Sequence, residues 1–165
     1  NVEVAEAALL GAEGKGFKAL SGTLDAGNVY LAAEMLGICQ ESFDRTLQYL
    51  KERKQFGVLI GSFQSLQHRA ADWWSQVELC KSVVLKALQA MDEGDAKVPV
   101  LASVAKAKLC QVTELATNEA VQMHAGIGMT DEYEIGFFMK RARPAQIMFG
   151  DNSYHTDRFA LLSGY

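Results

Sequence analysis

Residues 63–94 read FQSLQHRAADWWSQVELCKSVVLKALQAMDEG. Within them Phe63, Leu66, Ala70, Trp73, Val77, Cys80, Val84, Ala87 and Met91 recur every three or four residues, the spacing that lines up apolar side chains on one helix face. Glu93-Gly94 closes the stripe, because glycine tolerates the left-handed turn that ends a helix. The same period extends outward. Upstream, Ala32, Met35, Cys39, Phe43, Leu47 and Leu50 mark a helix from about Thr23 to Arg53, broken by Gln55-Phe56-Gly57-Val58-Leu59-Ile60-Gly61. Downstream, Pro99 suits a first helical turn, and Leu101, Ala105, Leu109, Val112 and Ala116 carry a third helix towards Met123. His124-Ala125-Gly126-Ile127-Gly128-Met129-Thr130 breaks it. A shorter helix around Glu132–Arg141 is expected to stop before Pro144, and a last amphipathic segment to run from Gln146 to Leu162. Three long helices and one or two shorter ones, joined by short turns, predict an all-α protein folded as an antiparallel up-and-down four-helix bundle.

The 165 residues are 49% hydrophobic and 22% charged, with two prolines and a formal net charge of −4, enough for one domain with a real core. That apolar content opposes disorder, and the acidic balance opposes non-specific nucleic-acid binding. The apolar runs are too short to span a membrane. Cys39, Cys80 and Cys110 are odd in number and widely spaced, which suits three small core residues in a reducing compartment better than a disulfide framework. No basic-then-apolar leader opens the chain, so it is not expected to be secreted.

Residues 1–20 differ from the rest. Asn1-Val2-Glu3-Val4 alternates as the end of a strand would, and glycines at 11, 14 and 16 then make a loop. A short extended N-terminal segment is therefore expected ahead of the bundle at 21–165. An unpartnered strand end and a first residue other than Met suggest a piece of a longer polypeptide. Gly14-Lys15-Gly16-Phe17-Lys18-Ala19 matches GxGxxA formally, but with no βαβ unit around it the stretch reads as a connecting loop. His68, His124 and His155 each lack a Glu three residues earlier, so no di-metal bundle site is expected. There is no Gly-x-Ser-x-Gly elbow.

The two glycine-bearing breaks carry more chemistry. Arg53-Lys54-Gln55-Phe56-Gly57 sets a guanidinium fork, an aromatic ring and a glycine at a helix end. The fork suits phosphate oxygens, the ring suits a flat ligand, and glycine leaves the backbone clear. Gln122-Met123-His124-Ala125-Gly126-Ile127-Gly128 sets an amide and glycines at another helix end.

Around these two breaks, the chain resembles the acyl-CoA dehydrogenase family. Arg53 to Gln64 is similar to that family's Arg-x-x-Phe-Gly…Gln block. Gln122 to Gly128 resembles its Gln-x-x-Gly-Gly-x-Gly flavin motif, with Ala125 in place of the first paired glycine. Arg141-Ala142-Arg143…Gln146-Ile147-Met148-Phe149-Gly150 is similar to the segment leading into the last helix, and Asn1–Gly11 to the strand and loop leaving the central β domain. The resemblance covers the C-terminal helical domain only. It implies residues 1–20 as the end of the central β domain with its connecting loop, and 21–165 as the helical-bundle domain.

The resemblance further implies FAD held against this bundle, with Arg53 at the pyrophosphate, Phe56 and Gln64 in the same groove, and Gln122, Ala125 and Gly126 at the adenine end. It implies an acyl-CoA substrate, transfer of a β-hydride to FAD, and a carboxylate that takes the α-proton. Electrons would leave through an electron-transferring flavoprotein, in the bacterial cytoplasm or the mitochondrial matrix. The usual base positions hold Phe149 and Gly27, neither able to accept a proton, and Asn28 stands where many members have Arg. Asp151 is a weak substitute, and Asp25 likewise lies two residues from the usual place. These departures point to one of two roles, the base-poor partner of a homologous subunit or a self-associating enzyme using Asp151; apart from its β domain, the segment has a third reading as a helical assembly module.

Overall fold

The computed structural model describes all 165 residues. Five α-helices account for most of the chain: α1 (Gly16–Glu52), α2 (Gln64–Glu93), α3 (Val98–His124), α4 (Ile135–Ile147) and α5 (Asn152–Ser163). The all-α up-and-down bundle forms as expected, with α3 packed against all four other helices and α4 also against α1. Trp73, Val77 and Cys80 from α2 meet Met35, Cys39 and Phe43 from α1 and Leu109 from α3 in one apolar core. Phe43 and Trp73 pack edge to face, centroids 5.1 Å apart. Ala32, Ala87, Ala102, Ala105, Ala116 and Ala120 are all essentially buried, and their small side chains let the helices approach closely.

The three cysteines are buried and free. Burial pushes the Cys39 thiol up to about 12 and the Cys80 thiol up to about 11, so both are inert core residues.

Four expectations are corrected. Residues 1–4 form no strand, and the first fifteen residues are exposed and irregular apart from one 3₁₀ turn at Glu6–Ala8. A strand needs a neighbour for its amides, and this chain offers none there. α1 begins at Gly16 rather than Thr23, because once a helix is nucleated each added residue costs little. α4 does not stop before Pro144 but runs through it to Ile147. Ala142, Ala145 and Gln146 are buried on its inner face, and Gln146 Nε2 donates to Cys110 O at 2.8 Å, so packing on α3 overrides the missing proline N–H. The last helix accordingly starts late, at Asn152, capped by Asp151, whose Oδ1 accepts from Tyr154 N at 2.9 Å.

The break after α1 holds a hairpin that helical periodicity did not announce. β1 (Lys54–Gln55) pairs antiparallel with β2 (Val58–Leu59), Lys54 opposite Leu59 and Gln55 opposite Val58. That register leaves Phe56-Gly57 as a two-residue loop with φ of 55° and 81°, the left-handed pair of a type I′ turn.

Two buried polar side chains tie the C-terminal helices to α3. Lys106, fully buried, donates to Gly150 O at 2.7 Å and Gln146 O at 3.0 Å. His155, also fully buried, donates from Nε2 to Phe149 O at 3.2 Å. Burial, aided by the Lys106 ammonium nearby, pushes the His155 pKa down to about 4.

Two stability predictions arise here. In the unfolded chain His155 binds a proton near pH 6.5, whereas in the fold it does so only near 4, so the unfolded state holds more protons between those values. Folding stability should be flat with respect to this group above pH 7. It should fall by up to about 1.4 kcal/mol per pH unit as pH drops from 6.5 towards 4. Urea unfolding across that range checks this, and His155→Asn should flatten the slope. Separately, a Cβ added at Gly61 would stand 2.7 Å from the Leu50 carbonyl oxygen, a backbone atom that cannot step aside. Gly61→Ala should therefore destabilise the protein by about 1–3 kcal/mol, read from the urea midpoint.

Candidate functional site

The two sequence breaks meet in space. Arg53 is the C-cap of α1: its N–H donates to Tyr49 O and its carbonyl accepts from Ile60 N, both at 2.9 Å. The guanidinium therefore projects from the base of the hairpin, and it has no ion-pair or hydrogen-bond partner within the chain. Phe56, at the hairpin tip, is 91% exposed and meets Phe63 edge-on at 6.3 Å.

At the other corner α3 ends on His124, and Ala125–Met129 continues as a 3₁₀ turn. Ala125 sits at φ 54° and ψ −136°, a conformation that glycine adopts freely and alanine does not. This explains physically why a glycine would serve better there. Gly128 is required by packing, since a Cβ would lie 2.9 Å from Val121 O. Gly126 has no atom within 4 Å of where a Cβ would stand, so its bare backbone faces open space.

A cavity of about 540 Å³ joins these corners. Arg53, Phe56, Gln122, Ala125 and Gly126 all line it. Gln64 does not: it is the exposed first residue of α2 and lies outside the lining. Phe63, Leu66 and Arg69 face the cavity at three-residue spacing, and Gln64, one residue on from Phe63, is turned about 100° round the helix. No Asp or Glu lines the cavity, whereas two arginines do. An unpaired guanidinium, aromatic walls and open backbone together suit a flat ligand carrying phosphate.

Three lining residues escaped the sequence reading. Tyr49 stacks on His124 at 4.3 Å, and Tyr133 flanks the same imidazole at 4.9 Å. His124 is 1% exposed, with Nδ1 donating to Ala120 O at 2.7 Å and Nε2 buried without a partner. Burial lowers its pKa, which keeps the ring neutral at pH 7. Arg69 Nη2 lies 2.6 Å from Glu119 Oε2, linking α2 to α3 at the cavity wall. His124 stood within the quoted break but was otherwise weighed only as a metal ligand, and set aside as one. Arg69 carried no sequence signal beyond a charge beside an apolar stripe.

The positions where the resemblance places a base also meet. A Cβ on Gly27 would stand 3.1 Å from Phe149 Cε2, so the ring rests on the glycine. Phe149 is held at φ 62° by the His155 and Lys106 hydrogen bonds to its own and the next carbonyl. Asp151 is engaged as the α5 cap. Asp25 is buried 2.7 Å from Arg158 Nη2, and Asn28 Nδ2 donates to Leu24 O at 2.9 Å. The pocket beside Phe149 thus holds an aromatic ring at the two usual base positions and one nearby carboxylate, that of Asp25, which is engaged by Arg158.

Residues 14–160 match the family model described as acyl-CoA dehydrogenase, C-terminal domain. The chain is 34% identical over 97% of its length to the short/branched chain specific acyl-CoA dehydrogenase, mitochondrial, of Rattus norvegicus, and covers 37% of that protein. It is 38% identical over 92% of its length to the short-chain specific acyl-CoA dehydrogenase of Megasphaera elsdenii, covering 39%. Superposed on the butyryl-CoA dehydrogenase structure from Megasphaera elsdenii, 94% of the chain aligns with a TM-score of 0.90 at 35% identity, over 40% of that molecule. The chain thus spans about two fifths of the length of the relatives it matches. The family model and the superposed fold each span nearly the whole chain, and the chain belongs to the acyl-CoA dehydrogenase family, of which it carries the C-terminal helical domain.

Proposed function

We propose that this chain forms one wall of an FAD site, and an assembly surface, in an acyl-CoA dehydrogenase that removes the α-proton and β-hydride of an acyl-CoA thioester. The observation that carries this reading is the single cavity joining the Arg53 corner to the Gln122–Gly126 corner. The residues fit the cofactor. Arg53 offers an unpaired fork to pyrophosphate oxygens, and Phe56 offers its ring to a planar group. Gln122 offers an amide with no other partner, and Gly126 leaves room for close backbone approach. FAD, when bound, supplies the hydride acceptor. Gln64, exposed at the start of α2, lies outside the lining of this cavity and so is not among the residues that support the reading.

The acyl-CoA substrate, self-association and an electron-transferring flavoprotein as acceptor belong to the same proposal. So does a mitochondrial-matrix or bacterial-cytoplasmic location; a mitochondrial relative supports the first, and no helix is long and apolar enough to cross a membrane. Leu79 and Leu85, 54% and 67% exposed on α2, are suited to contact with another subunit.

The Phe149 ring on Gly27 favours a second reading, in which this chain is the base-poor partner of a homologous subunit that supplies the carboxylate. With Asp151 occupied as a helix cap and Asp25 ion-paired with Arg158, the homomeric enzyme has no free carboxylate at that spot.

Arg53→Ala in the intact protein carrying this chain should weaken FAD retention by roughly tenfold to a hundredfold, the loss of a charge-assisted contact of about 1.5–3 kcal/mol. Unchanged flavin occupancy after dialysis would reject the role of Arg53, and a colourless helical oligomer would favour the assembly module. In anaerobic titration with acyl-CoA, the flavin absorbance should bleach only when a homologous, Glu-bearing subunit is present. Bleaching by the homomer alone would end the partner reading.

A further inference from the structure

The cavity has a second arginine, in a different electrostatic state from the first. Arg53 stands at a helix end with its charge unopposed. Arg69 sits six residues past Phe63, roughly 9 Å along α2, and is paired with Glu119 at 2.6 Å. Glu119 lies one turn before Gln122 on α3, and its side chain is only 18% exposed. The pair therefore lies back from both chain breaks, where α2 faces α3. Its net charge is close to zero, so it offers little to a phosphate that Arg53 does not offer better. What remains is a flat, weakly hydrated guanidinium, 41% exposed, ion-paired with a half-buried carboxylate and set beside Leu66. The pair lacks hydrogen-bond geometry, so the guanidinium presents its faces for stacking and its N–H groups for neutral acceptors.

We propose that Arg69, positioned by Glu119, is a specificity-determining residue that reads the nucleoside portion of the dinucleotide by stacking on its base, leaving the phosphates to Arg53. The proposal rests on the FAD reading of this cavity. It divides the cleft into an anionic end at the hairpin and a neutral, base-reading end between α2 and α3. The aromatic rings Phe56 and Phe63 lie with the first, and the guanidinium plane defines the second. Glu119 then acts indirectly, by holding the guanidinium beside α3 and cancelling its charge.

The test compares FAD with FMN, which lacks the adenosine and one of the two phosphates, in the intact protein carrying this chain, and R69K separates a lost base contact from a lost phosphate contact. Affinities are measured by flavin fluorescence for the parent protein and for R53A, R69A, R69K and E119Q. R69A should weaken FAD about tenfold and leave FMN unchanged. R69K, which keeps the charge and loses the plane, should behave as R69A does. E119Q should give a smaller loss in the same FAD-only pattern, with far-ultraviolet circular dichroism and melting temperature confirming an intact bundle. Equal losses for FAD and FMN in R69A, or full rescue by R69K, would overturn base reading by Arg69. Should R53A and R69A both leave FAD binding untouched, the FAD reading of the cavity itself fails, a result distinct from failure of the Arg69 role alone.

Discussion

The cleft depends on a small apolar contact away from the main core. Leu50 at the end of α1, Ile60 after the hairpin and Met123 at the end of α3 are buried against one another, with Tyr49 and Leu66 packed around them. Each such side chain removed from water contributes about 1.5–3 kcal/mol. This cluster, with the Tyr49–His124 stack, draws two helix ends separated by some seventy residues of chain into one corner. Arg53 and Gln122 line a shared cavity because their neighbours are glued together. The Gly61 backbone, pressed on the Leu50 carbonyl, shows how little slack that joint has.

At the opposite end, polar burial does the equivalent work. Lys106 reaches two carbonyls of the α4–α5 turn, while Arg158 bridges Asp25 on α1 to Pro99 O and Ser103 Oγ on α3. A buried charge is costly unless its donors are engaged, and here several donors are. The turn around Phe149 is consequently fixed from both sides, by hydrogen bonds to its carbonyls and by the Gly27 surface beneath the ring. The protein invests a strained φ, one buried cation and a buried neutral imidazole in displaying residue 149, whatever its side chain.

Legibility varied with the range of the forces involved. The α2 stripe, its Gly94 stop and the Pro99 start are local, and the helices they announced form where expected. The phosphate-suited cast of the Arg53 and Gln122–Gly126 breaks was also legible, as residue chemistry at helix ends. The β hairpin was hidden in a stretch read as a break, since two-residue strands are too short to show alternation. Pro144 misled because a proline's local cost was outweighed by the burial of Ala145 and Gln146 on α3.

The amino-acid order alone therefore determined the helical class, the three long helices and which helix ends carry residue chemistry suited to a flat, phosphate-bearing molecule, because apolar period and helix-end chemistry operate within a few residues. Only the tertiary structure decided that the two corners share a cavity, that Gln64 is turned out of it and that Arg69 joins it with its charge matched by Glu119. Those outcomes hang on which faces of α1, α2 and α3 pack together, and a helix face gains its neighbour only when distant apolar stripes are buried in one core.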